Sequence, residues 1–60
     1  MWVIRGNSMT KYQTYYAVLS DEGVTWVSDK AKATQFEVKE DALAAMNGIT
    51  SRKRMVVEGY

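Results

Sequence analysis

Two runs of β-forming residues, Tyr12 to Ser20 and Val24 to Ser28, are separated by Asp21-Glu22-Gly23, and this pattern constrains the fold most. Tyr, Thr, Val and Trp recur in both runs, and residues of that kind suit an extended, half-buried backbone. The intervening tripeptide predicts a tight hairpin, with Gly23 free to take a positive φ. Trp2-Val3-Ile4-Arg5 is another short strand, ended by the turn-rich Gly6-Asn7-Ser8. After the hairpin, Asp29 caps a short helical turn through Lys30-Ala31-Lys32-Ala33, and Gln35-Phe36-Glu37 reads as extended.

A helix is predicted from Lys39 to Asn47. Glu40 and Asp41 occupy its first turn, where the helix dipole favours acids. Ala42, Ala45, Met46 and Ile49 recur at helical spacing, and Leu43 widens that stripe. Asn47-Gly48 supplies the stop. Arg54-Met55-Val56-Val57-Glu58 is the last strand. The order β-β-β-α-β predicts an α+β fold: a small antiparallel sheet of three to four strands with one helix packed on one face, in a single domain over residues 1–60.

Chemistry is restricted by what the chain lacks. It has no Cys, no His and no Pro. Disulfides, thiolate nucleophiles, sulfur-ligated zinc, imidazole ligands and Ser–His or Cys–His pairs are therefore excluded. Asp21-Glu22 and Glu40-Asp41 sit where turns and helix starts want acids, and sixty residues rarely build the deep cleft that carboxylate catalysis needs. The four glycines are too far apart for a phosphate loop. The expectation is a non-enzymatic protein with no catalytic residue, cofactor or metal. The N-terminal apolar stretch is too short for a signal peptide, and no run approaches a membrane span. A cytoplasmic location is expected.

Alternation gives the faces. Trp2 and Ile4 oppose Val3 and Arg5; Tyr12, Tyr16 and Val18 oppose Tyr15, Ala17 and Leu19; Val24 and Trp26 oppose Val27; Met55 and Val57 oppose Val56, Glu58 and Tyr60. Both faces are partly apolar, and one short helix covers only one. Trp2, Trp26 and Phe36 are assigned to the core. The face without a helix is expected to expose Val3, Tyr15, Val27, Val56 and Tyr60, a patch suited to partner binding or to a symmetric homodimer. The strand Met55 to Glu58, or the segment Gln35 to Glu37, offers an edge for pairing with another chain.

A competing reading uses the cations. Arg5, Lys11, Arg52, Lys53 and Arg54, interleaved with sheet tyrosines, suit contacts to the phosphates and bases of single-stranded nucleic acid. The net charge, 8 − 7 = +1, supplies little long-range attraction to a polyanion.

The string Tyr15-Tyr16 … Gly23-Val24-Thr25-Trp26 … Ser28-Asp29-Lys30-Ala31-Lys32-Ala33 … Phe36 … Lys39-Glu40-Asp41-Ala42 resembles small uncharacterised accessory proteins of bacteriophage and prophage genomes. The likeness covers about residues 12 to 46 and carries no catalytic residues. It implies a bacterial host cytoplasm and an accessory protein that binds a host protein. The expected function is a small self-associating protein-interaction module, with nucleic-acid binding as the alternative.

Overall fold

The computed structural model describes residues 1–7, 13–50 and 54–60. The elements are β1 (Trp2–Asn7), β2 (Thr14–Ser20), β3 (Gly23–Val27), a 3-10 turn η1 (Lys30–Lys32), α1 (Lys39–Asn47) and β4 (Arg54–Gly59). The strands form a four-stranded antiparallel sheet in the order β3-β2-β1-β4. This is the α+β arrangement read from the sequence. The strand β1 runs through Gly6 and Asn7, which were expected to turn: there they pair with Met55 and Arg54 of β4. A long pairing partner thus overrides local turn preference.

Local signals explain most boundaries. Asp29 accepts the Ala31 N–H at 3.0 Å and caps η1. Gly23 takes φ 123° as β3 begins, a conformation an L side chain resists. Glu40 and Asp41 lie in the first turn of α1, although its cap residue, Val38, offers no side-chain acceptor. Gly48 closes α1 at φ −83°, so its role is to stop the helix without a left-handed turn.

The least expected feature lies between β1 and β2. Among the described residues these strands pair through Arg5–Asn7 with Thr14–Tyr16 and then diverge. The segment after η1 fills the gap. The Thr34 N–H donates to the Ala17 carbonyl at 3.1 Å, and Thr34 Oγ1 accepts the Leu19 N–H at 2.8 Å. On the other side Phe36 and Trp2 exchange both backbone hydrogen bonds, at 2.7 and 2.8 Å. The insert thus satisfies the Trp2 N–H and carbonyl, the Ala17 carbonyl and the Leu19 N–H, backbone groups that the divergence would otherwise leave without partners. Phe36, at the centre of the Gln35 to Glu37 segment, is thus bridged to Trp2 of β1, which corrects the expectation of a free edge there.

The insert also carries the chain from one face of the sheet to the other. The 3-10 turn η1 lies on the face of Val3, Arg5, Tyr16 and Glu58, where Lys30 reaches Glu58. The helix α1 lies on the face of Trp2 and Ile4, where Lys39 sits 5.3 Å from the Trp2 ring. Both sides are closed: Val3 is 0% exposed and Ile4 1%.

The buried residues among those described are Val3, Ile4, Gly6, Ala17, Ala33 and Ala42, none of them aromatic. Trp2, Trp26 and Phe36, assigned to the core from sequence, are each half-buried. A chain of this length lacks the depth to enclose an aromatic ring on all sides, so the rings cover the core and keep an edge in water.

Candidate protein-interaction surface

Register decides which side chains share a face. Tyr16 pairs with both Arg5 and Val27, and Arg5 pairs with Val56. Val3, Arg5, Tyr16, Val27, Val56 and Glu58 therefore lie on one face. Tyr15 pairs with Gly6 and lies on the opposite face, with Ile4 and Trp26, where its hydroxyl donates to Gln13 Oε1. The grouping of Tyr15 with Val3, Val27, Val56 and Tyr60 is corrected: hairpin register puts Tyr16 in the place expected for Tyr15.

The remaining members of that group differ in access. Val3 is wholly enclosed, so it contributes to the core and offers no surface to a partner. Val27 is half-buried. Val56 is 37% exposed and Tyr60 55%, and both lie at or beside the β4 end of the sheet. Met1, 53% exposed, adjoins Tyr60 through the Tyr60 N–H, which donates to the Met1 carbonyl at 2.9 Å.

Three charges on this face pair with one another, while Arg54 stays exposed at its end. Arg5 Nη1 lies 2.6 Å from Glu58 Oε1, and Lys30 Nζ lies 3.0 Å from Glu58 Oε2. The Lys30 hydrogen bond holds the Glu58 carboxyl below its ordinary value, opposed by partial burial and aided by the charges of Arg5 and Lys30. Lys30 Nζ also stands 6.0 Å from the Tyr16 ring and 5.7 Å from the Tyr60 ring. Of the cations proposed for nucleic-acid contact, Arg5 is engaged with Glu58 and Arg54 is exposed on β4, while Lys11, Arg52 and Lys53 lie outside the described residues. Lys30 and Glu58 organise this face, and alternation revealed only half of that: Glu58 was placed beside Val56, but Lys30 reaches it from a separate element.

Among the described residues, no strand pairs with the outer edge of β4. Its backbone orientation follows from two bonds. Tyr60 bonds to Met1, which precedes β1, whereas Trp2 directs both of its backbone groups to Phe36, away from β4. By antiparallel alternation, Met55, Val57 and Gly59 point their N–H and C=O groups outward. Lys30 Nζ donates to the Gly59 carbonyl at 2.9 Å, closing one end of this edge. Met55 and Val57 keep the stretch that can pair.

A concavity lies between the β2–β3 hairpin and the end of α1. It has a volume of about 440 Å³ and is lined by Leu19, Val24, Ala45 and Ile49 among others. Among the described residues no group of acidic side chains is arranged to hold a metal ion, and no helix is long and apolar enough to cross a membrane. No family model, curated protein or solved structure matches the chain.

Proposed function

We propose that this chain is a small non-enzymatic protein-interaction module that binds through β4. The observation that carries the reading is the open edge at Met55 and Val57, flanked on one face by exposed Val56 and Tyr60. An extended segment of a partner gains main-chain hydrogen bonds from such an edge, and side chains on the flanking faces supply selectivity. The likeness to phage accessory proteins supplies a setting, with a bacterial host protein as partner. The pairing of Arg5 with Glu58 weighs against a phosphate-binding face.

Chemical synthesis gives a direct test. N-methylation at Val57 removes one outward N–H while leaving its side chain and the β1–β4 ladder in place. The unmodified chain is expected to associate, with itself or with a protein captured from bacterial lysate. The N-methylated chain, folded to the same melting midpoint, is expected to lose that association. Association that persists undiminished after N-methylation refutes the reading.

A further inference from the structure

We infer that the β4 edge accepts the β4 edge of a second copy, antiparallel, with the two-fold axis passing through Val56. This rests on the proposed use of β4 and names its occupant. The argument is one of register. Among the described residues of β4, Met55, Val57 and Gly59 direct backbone groups outward, so two copies bond through residues of this set, and any alternative register slips by two residues.

Centring the pair on Val56 sets Met55 against the Val57 of the second copy and Val56 against its counterpart. It also sets Arg54 against Glu58 and Glu58 against Arg54. Apolar thus meets apolar and cation meets acid from Arg54 to Glu58, which is the self-complementarity that an isologous interface requires. A slip in one direction sets Val56 against Glu58 and Arg54 against Tyr60; a slip in the other sets Arg54 against Val56. Both lose the complementarity.

Glu58 can take the added contact. Arg5 engages Oε1 and Lys30 engages Oε2, and each carboxylate oxygen has a second lone pair. The Lys30 bond to the Gly59 carbonyl then limits pairing to the central residues. Because the two-fold axis is perpendicular to the sheet, both Lys30–Glu58 clusters fall on the same side of a continuous sheet.

A single cysteine reads the register, since the chain has no other. Opposed residues in a non-hydrogen-bonded pair have Cα atoms about 4.5 Å apart, within disulfide range. Under mild oxidation, Val56→Cys is expected to form a covalent dimer. Thr25→Cys, at an exposed position on the other edge strand, is expected to remain a single chain under the same conditions. Arg54→Glu places acid against acid twice and is expected to weaken dimerisation by roughly tenfold, read by sedimentation equilibrium.

Equal cross-linking at both cysteines overturns the inference, as does a wild-type mass of one chain at millimolar concentration. If the chain is monomeric yet N-methylation at Val57 still abolishes capture of another protein, the self-pairing falls and the module reading survives. If N-methylation changes nothing, both fall.

Discussion

The two faces of the sheet are closed by different means. On one, α1 packs over β1 and β4, and Ile4, Ala17 and Ala42 are sealed beneath apolar contact. On the other, the three-residue turn η1 and a single long side chain, Lys30, span the sheet to Glu58, and Val3 is sealed as completely as Ile4. The comparison shows that enclosing one β1 residue per face does not require a helix per face. On the face of Val3 the short turn η1 and Lys30, which reaches Glu58, stand where the other face has α1. The two closures should respond differently to perturbation, because an ion pair, Lys30 with Glu58, belongs to only one of the two as described.

The largest expected effect separates the two sides of β1. Ile4→Ala removes a side chain beneath the helix, and such truncations cost about 2–5 kcal/mol. At roughly 0.05–0.15 kcal/mol per residue, that approaches the whole stability of a chain of this size. Val3→Ala removes less apolar volume and is expected to cost roughly 2 kcal/mol, leaving a folded protein with a lowered midpoint. Urea titration of both variants checks the order. Equal losses would break the distinction between the two closures.

The crossing itself comes next. Thr34→Val preserves shape but leaves the Leu19 N–H without its acceptor, a loss of about 1–3 kcal/mol if that amide stays dry. Faster hydrogen exchange at Leu19, with little change at the β1–β4 ladder, would place the weakness at the crossing. Uniform acceleration would instead show that the insert unfolds only with the whole sheet.

The smallest effect concerns the Lys30–Glu58 pair. The folded-state pKa of Glu58 lies below its unfolded value, so its contribution is fully present above the ordinary glutamate range. It is lost as pH falls through the lowered folded value. Lys30→Met removes the hydrogen bond that lowers it most. Stability is expected to fall by under about 1 kcal/mol at neutral pH, since both side chains keep contact with solvent. The acid-dependent loss below the glutamate range should shrink with it. A wild-type acid slope in Lys30→Met would transfer the effect to Arg5.

Much of the architecture was legible in local pattern. The helix bounds Lys39 to Asn47, the hairpin around Asp21-Glu22, the Asp29-capped turn and the last strand all follow from periodicity, turn chemistry and capping, which act within a few residues. The open edge at Met55 to Glu58 was legible as a possibility. Its backbone direction was not, because that depends on which β1 residues face β4.

What the sequence by itself determined is the set of elements and, within each strand, which side chains alternate. Only the tertiary structure decided how those alternations align between strands. Nothing local distinguishes Tyr15 from Tyr16 as the partner of Arg5, yet that one-residue choice reverses every side chain of β2. Only the tertiary structure, too, brought Thr34 to Phe36 into the gap between β1 and β2 and Lys30 to Glu58. These contacts join residues distant in the chain, and their free energy comes from burial and from satisfying backbone groups that exist only once the sheet has formed.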